Sequence, residues 1–288
     1  MIYAICNPTA GNGRGRKIGE QVKRALDEKG TASRLVMTQN PGHATALAQA
    51  ARDAGADTVL SIGGDGTALE VARGLLGGSS ALGIIPAGTG NDLIKTLGIP
   101  KDPEAALDHL LAHAPRPMDV GTINGRPFLN VCGTGFDVSV LDHTEKFKRH
   151  MRGLLPYFLG LLGAIFGNRP VRVGISVDGK PEEEEEILIC AVANGRYIGG
   201  GIPICPAAEP GDGCFDLVKV KAVPRWRIPF YLPGLMGSKI LTFRVTTHAL
   251  VRSVTLRSPG MRIQIDGEIV PMDEARLELR PGALRVRY

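Results

Sequence analysis

The chain has 288 residues, of which 43% are hydrophobic, 22% charged and 5% aromatic, with a formal net charge of +5. This composition excludes a largely disordered or fibrous chain, and the length suits two domains or one large one. The positive balance favours acidic partners such as phosphates or anionic lipid head groups, whereas so few aromatics, with Trp226 the single tryptophan, argue against a base-stacking nucleic-acid binder.

In chain order, the first third alternates strand-like and helix-like runs. Met1–Cys6 reads as a strand, Arg16–Lys29 as a helix, Ser33–Thr38 as a strand and His43–Ala54 as an alanine-rich helix. Thr58–Ile62 and Leu82–Ile85 are further strands, each followed by a glycine-rich loop and a helix, over Ala68–Leu76 and from Asn91. Asp102 and Pro103 have the residue types of an N-cap and first turn for a helix running to His113. This rhythm predicts a doubly wound, Rossmann-like parallel sheet over residues 1–117.

From about residue 118 to 288 the pattern becomes β-rich and predicts an antiparallel sandwich. Its strands are Val171–Asp178, Ile187–Ala193, Phe215–Val223, Leu241–Thr247, Val251–Arg257, Met261–Asp266 and Ala283–Tyr288. Asn124-Gly125, Asp178-Gly179 and Pro281-Gly282 supply turn chemistry between them. The acidic run Glu182–Glu186 reads as a solvated hairpin end, and Glu145–Phe166 as a mixed basic and apolar helix.

The five cysteines are scattered, odd in number and without a CxxC pair, which fits a reducing compartment rather than a disulfide framework or a zinc ribbon. No secretory leader is visible. The most apolar run, Gly153–Gly167, is interrupted by Pro156 and is shorter than the roughly 20 residues of a spanning helix. A cytoplasmic protein that touches a membrane peripherally is expected.

Three loops carry the chemistry, each after a strand of the first domain, where ligands of open parallel sheets bind. Asn7-Pro8-Thr9-Ala10-Gly11-Asn12-Gly13-Arg14-Gly15 is glycine-rich and leads into a helix, with Arg14, Arg16 and Lys17 nearby, but it is not a Walker A loop. Gly63-Gly64-Asp65-Gly66-Thr67 lets backbone approach a phosphate closely, Thr67 offers a hydroxyl, and Asp65 suits Mg²⁺ or a substrate hydroxyl. Pro86-Ala87-Gly88-Thr89-Gly90-Asn91-Asp92-Leu93 repeats that logic. The plainer reading of each is a turn, with Asp65, Asn91 or Asp92 only capping the next helix. Glu70 either reaches back to the same ligand or complements its own helix dipole.

GGDGT followed by PAGTGND resembles the catalytic domain of the diacylglycerol kinase and sphingosine kinase superfamily, particularly its soluble bacterial YegS-like lipid kinases. The opening NPTAG, then Pro206-Ala207 with Asp212-Gly213, then Asp266-Gly267-Glu268, extend the likeness over nearly the whole chain in the family's order. GGDGT alone is shared with NAD kinases. The resemblance implies an ATP- and Mg²⁺-dependent kinase acting on a lipid hydroxyl, diacylglycerol or a related lipid, with its active site in the cleft between the domains. It implies ATP contacts at Asn7, Pro8, Thr9, Ala10 and Gly11, at Thr38, at Gly64, Asp65, Gly66, Thr67, Ala68, Leu69 and Glu70, and at Thr89. Asp266 is the first candidate for general base, with Glu268 and Asp65 as alternatives. A Mg²⁺ loop is implied at Asp212, with backbone oxygens near Glu209 and Cys214.

Lys146, Lys148, Arg149 and Arg152 precede the apolar stretch Leu154–Phe166, and Arg225–Tyr231 sets aromatics beside two arginines. Both have the composition of a membrane-interfacial segment. Exposed strand edges in the second domain suit a homodimer. Two other readings stand beside the lipid kinase: a kinase of a soluble substrate such as NAD, and a nucleotide- or lipid-binding regulator without turnover.

Overall fold

The structure is a computed structural model that describes residues 1–148, 160, 163–164 and 170–288. The chain forms two compact units, Met1–Val120 with Pro281–Tyr288, and Gly121–Arg280. Pro281–Tyr288, which the sequence pattern grouped with the β-rich part, thus belongs to the first unit.

The first unit is a doubly wound parallel α/β domain. Its sheet runs β2 (Ser33–Met37), β1 (Ile2–Cys6), β3 (Thr58–Gly63) and β4 (Ala81–Pro86). Arg285 and Val286 of the long C-terminal strand β15 (Glu274–Arg287) then lie parallel beside Ala81 and Leu82. Strands β1, β3 and β4 are buried along their whole length, because helices cover both faces of a parallel sheet. Helix α2 (Gly15–Glu28) packs against α6 (Pro103–Ala112), and α3 (His43–Asp53) against α4 (Asp65–Leu75). On α2 the buried positions Gly15, Gly19, Val22 and Leu26 follow the helical period and leave the charged residues outside. Each fully buried Val or Leu there contributes about 1.5–3 kcal/mol.

The strand order makes a switch point. From β1 the chain moves to one side to form β2, then returns across β1 to form β3. The loops leaving the C-terminal ends of β1 and β3 therefore diverge, which opens a crevice above the sheet.

The second unit is an antiparallel, sandwich-like β domain built around β9 (Glu183–Ala193), which pairs with β7 (Val131–Gly135), β8 (Val171–Val177) and β10 (Phe215–Lys221). From Ile187 onward, strand β9 is apolar on both faces. Cys190 and Val192 enter one core beside Phe128 and Phe215, while Ile189, Ala191 and Ala193 enter the other beside Val131 and Val218. The period of two in side-chain direction thus serves two cores from one strand. Asn124-Gly125, between β5 (Pro115–Ile123) and β6 (Arg126–Phe128), has φ of 48° and 80°; Asp178-Gly179, after β8, has 49° and 72°. These are the paired left-handed conformations of tight hairpin turns.

Several expectations change. Pro281-Gly282 lies inside β15, where the Gly282 N–H donates to Asp119 Oδ1 at 2.7 Å, so it bends the strand instead of ending it. The acidic run Glu182–Glu186 lies, as expected, at the solvated end of a hairpin: Glu183–Glu186 open β9 opposite β8, and Lys219 on the neighbouring strand pairs with Glu185. Residues 241–245 are not strand: a 3₁₀ turn at Ile240–Thr242 precedes β11 (Thr246–Val251). β12 (Ser253–Arg257) and β13 (Arg262–Ile265) sit where expected, and β14 (Glu268–Pro271) completes a hairpin with β13. Helix α7 spans Phe136–Lys148, so it reaches Lys146 and Lys148; Arg149, Arg152 and, apart from residues 160, 163 and 164, the stretch Leu154–Phe166 lie outside the described residues.

Asp102 caps α6 by accepting the Glu104 and Ala105 N–H groups at 3.1 and 2.9 Å, with Pro103 in the first turn. Replacing Asp102 by Ala is expected to cost about 1 kcal/mol in a urea unfolding titration.

Candidate active site

A cavity of about 480 Å³ opens in the first unit at the C-terminal ends of β1, β2 and β3. Its lining takes Asn7, Pro8, Thr9 and Ala10 from the first loop, Thr38 from the end of β2, and Gly64, Gly66, Thr67 and Glu70 from the second loop and α4. These are nine of the positions marked in the sequence. Gly11, Asp65, Ala68, Leu69 and Thr89 are not among its lining residues. Gln39, Asn40, Pro41 and Ala44 also line it and went unmarked, although the rule that ligands bind beyond parallel strand ends applies equally to β2.

Glycine is required because the loops meet backbone to backbone. A Cβ on Gly88 would stand 2.5 Å from the Gly64 Cα, and one on Gly11 would stand 2.1 Å from the Ala87 carbonyl oxygen. Gly11 has a φ of 58° as well, inside the distorted turn α1 (Ala10–Gly13). The Ala87 and Gly88 N–H groups both donate to the Gly63 carbonyl, at 2.8 and 3.1 Å. Asn7 joins the first loop to the second: its Oδ1 accepts the Thr9 N–H and hydroxyl, and its Nδ2 donates to Thr67 Oγ1 at 3.3 Å. The opening turn of α4 faces the cavity through Gly66 and Thr67, and the first N–H groups of a helix have no partner within it. Anion-directed donors and a helix dipole therefore converge there.

Two carboxylates on α4 hold neighbouring helices. Glu70 accepts the Gly42 and Ala44 N–H groups at 2.9 and 3.2 Å, which caps α3 while part of its side chain lines the cavity. Asp65 accepts the Leu93 N–H at 3.1 Å, at the start of α5 (Asp92–Leu97). Burial pushes the Asp65 carboxyl above the usual carboxylate range, and the nearby Asp92 carboxylate adds to that shift. Among the described residues that line the cavity there is no lysine or arginine, and Arg14 turns back to donate to the Gly11 carbonyl at 3.1 Å.

In the second unit, Asp266 and Gly267 form a tight turn between β13 and β14, with φ of 48° and 90°. The Asp266 carboxylate accepts three main-chain N–H groups: Leu129 at 2.7 Å, Asn130 at 2.9 Å and Val131 at 3.1 Å. Glu268 is exposed and ion-paired with Arg126. In the Asp212 loop, Asp212 Oδ1 accepts the Cys214 N–H at 2.9 Å, and the Glu209 carbonyl accepts the Gly211 N–H at 2.8 Å. The exposed Asp212 carboxylate and the main-chain carbonyls of Glu209 and Cys214 are hard oxygen donors that suit Mg²⁺; the Cys214 thiol does not.

Gly88→Ala is expected to separate the second and third loops and to weaken nucleotide binding at least tenfold in a calorimetric titration, with the far-ultraviolet circular dichroism retained.

Residues 1–123 match the diacylglycerol kinase catalytic domain family, and residues 130–288 match the YegS C-terminal NAD kinase beta sandwich-like domain family. A Mycobacterium tuberculosis protein named diacylglycerol kinase is 29% identical over 99% of this chain and 94% of its own length. A Pseudomonas aeruginosa protein named "Probable lipid kinase YegS-like" is 33% identical over 94% of this chain and 91% of its own length. A solved structure described as a diacylglycerol kinase from Bacillus anthracis shares the fold, with a TM-score of 0.75, 24% identity, and coverage of 100% of this chain and 96% of that one. Both domains thus agree: the chain belongs to the diacylglycerol kinase family, among its YegS-like lipid kinases.

Proposed function

We propose that this protein transfers the γ-phosphate of ATP, in the presence of Mg²⁺, to a lipid hydroxyl, with diacylglycerol as the first acceptor to test. The observation that carries this reading is the cavity at the switch point, where backbone, hydroxyls and a helix N-terminus meet. Its volume is within the range of small-molecule sites. Phosphoryl transfer asks the protein mainly for positioning and charge stabilisation. Thr9 and Thr67 and the first turn of α4 suit the phosphates. A triphosphate facing Glu70 carries negative charge that a divalent cation would offset. When bound, Mg²⁺ neutralises charge on the phosphate oxygens; independently of that cavity, the Asp212 loop of the second unit offers oxygen donors for a structural Mg²⁺.

For the proton of the acceptor hydroxyl, Asp65 is the favoured base. Burial and the neighbouring Asp92 carboxylate raise its pKa, which makes it a stronger proton acceptor than an ordinary carboxylate. Asp266 already receives three N–H groups and serves to hold residues 129–131. Glu268 keeps its pairing with Arg126.

No helix among the described residues is long and apolar enough to cross a membrane. One surface patch has the composition for contact with a lipid. Trp226, Phe230 and Met236 are 65%, 76% and 57% exposed, on the 3₁₀ turn Arg225–Arg227 and helix α8 (Ile228–Met236). Arg225 and Arg227 are exposed beside them, and the Arg227 guanidinium lies 4.9 Å from the Trp226 ring centre. Apolar side chains rimmed by arginine suit an anionic bilayer surface.

The test is transfer of labelled phosphate from ATP with Mg²⁺ to diacylglycerol in mixed micelles, to a total lipid extract and to NAD. Label in diacylglycerol is the expected result; label in NADP alone overturns the lipid reading. Asp65→Asn is expected to lower turnover roughly 10²-fold. Its stability should behave differently. The raised carboxyl pKa means that the folded state keeps its proton to higher pH than the unfolded chain. Stability from this group is therefore present below the unfolded pKa and is lost as pH rises through the folded one. Asn keeps the acceptor for the Leu93 N–H and removes that loss, so the melting temperature at neutral pH should not fall. Asp266→Asn should instead lower the melting temperature; if turnover collapses while melting is unchanged, the base is Asp266. The double substitution Trp226→Ala and Phe230→Ala is expected to weaken sedimentation with phosphatidylglycerol vesicles more than tenfold.

A further inference from the structure

Away from the loops discussed so far, three donors of different chemistry converge in the second unit. Cys205 Sγ, an Asp216 carboxylate oxygen and a His248 ring nitrogen all lie within 4.8 Å of one another. The fold brings them together for clear reasons. In the antiparallel pair β10–β11, Val218 stands opposite His248 and Asp216 opposite Leu250. Asp216 and His248 are thus diagonal neighbours on one face, which lets their side chains meet. His248 Nε2 lies 2.6 Å from Asp216 Oδ1. Cys205 comes from the loop before β10. Its N–H donates to the Arg196 carbonyl at 3.2 Å, and its own carbonyl accepts the Ala208 N–H at 3.2 Å, so the thiol is held in place.

The cluster is short of positive charge. Asp216 is 2% exposed, Cys205 is fully buried, and among the described residues the only ion-pair partner of Asp216 is His248. Buried carboxylates are normally paired or bound to a metal. The His248 side chain remains 30% exposed, which leaves a path for an ion to enter.

We propose that Cys205, Asp216 and His248 form a Zn²⁺ site that fastens the loop before β10 to the β10–β11 hairpin. A thiolate, a carboxylate and a neutral imidazole together offset the charge of one divalent ion. Sulfur and nitrogen donors select a borderline ion such as Zn²⁺ over the hard Mg²⁺ expected at Asp212. Three protein ligands leave a fourth position for water on the solvent side of His248. Ligand atoms about 2.0–2.1 Å from one ion at a tetrahedral angle stand roughly 3.4 Å apart. His248 must therefore move outward by less than about 1 Å, and its accessible ring permits this. Coordination forms a Zn–S bond and releases the Cys205 S–H proton to solvent, so binding weakens in acid.

The test uses full-length protein stripped with a chelator and titrated with Co²⁺ and then Zn²⁺, without nucleotide. The expected result is one equivalent of Co²⁺ with a thiolate-to-metal absorption band, displaced by Zn²⁺ and accompanied by a rise in melting temperature. Cys205→Ser should abolish the band. His248→Ala, at an accessible position, should keep the fold and weaken Zn²⁺ binding at least tenfold, which decides the matter even if Cys205→Ser folds poorly. Absence of the band in the unaltered protein overturns the proposal. So does a band that survives Cys205→Ser and disappears in Cys214→Ser, or Zn²⁺ affinity that His248→Ala leaves unchanged.

Discussion

The arrangement of the first unit depends on a contact with no side chain in it. Gly64 and Gly88 bring two loops together at backbone distance, and Gly11 brings a third against the Ala87 carbonyl. A single methyl group on Gly88 or Gly11 would collide with the facing backbone and force these loops apart. The close approach leaves main-chain N–H groups and short hydroxyls to line the cavity instead of long side chains. Such a surface is stiff, since backbone donors have no rotamers to lose, and it is arranged before a ligand arrives.

Carboxylates then hold what glycine allows. Asp65 and Glu70 leave the same helix and fasten the first turns of α5 and α3. Asp266 does the same for residues 129–131 of the other unit. Each of these acids accepts main-chain N–H groups, which are otherwise unsatisfied at helix starts and tight loops. They differ in environment. The Asp65 carboxyl is buried beside another acid and is costly to ionise, whereas Glu268 stands in solvent against an arginine. A buried acid with a raised pKa, one residue from the cavity lining at Gly64 and Gly66, is a mark of chemistry independent of its sequence motif.

Much of this was legible in the residues. The alternation of strands and helices, the loops after β1, β3 and β4, and the Asp102 cap follow from glycine, apolar runs and capping types, all of which act locally. Of the cavity lining, Asn7 to Ala10 and Gly64, Gly66, Thr67 and Glu70 were marked by glycine-rich loop chemistry together with the family resemblance. The double role of Glu70 was not, because its partners Gly42 and Ala44 lie on a different helix. Nor was the binding of Asp266 to residues 129–131, more than a hundred positions away along the chain. Strand β7 escaped detection because VCGTG has too few large apolar residues to show a period, though all five positions are buried. The acidic start of β9 was legible as a solvated hairpin end because its charges stay in water, whereas the pairing of Glu185 with Lys219 on another strand was not.

The placement of β15 has a consequence for how the protein is made. Ala81 and Leu82 on β4 find their outer neighbours in Arg285 and Val286, which leave the ribosome some two hundred residues later. Until then the first unit carries an open parallel edge, a template on which a second nascent chain could pair. The unit that holds the glycine loops therefore cannot finish folding ahead of the other during synthesis. Its last strand closes it only after the intervening β domain has been translated, so the order of synthesis and the order of completion differ.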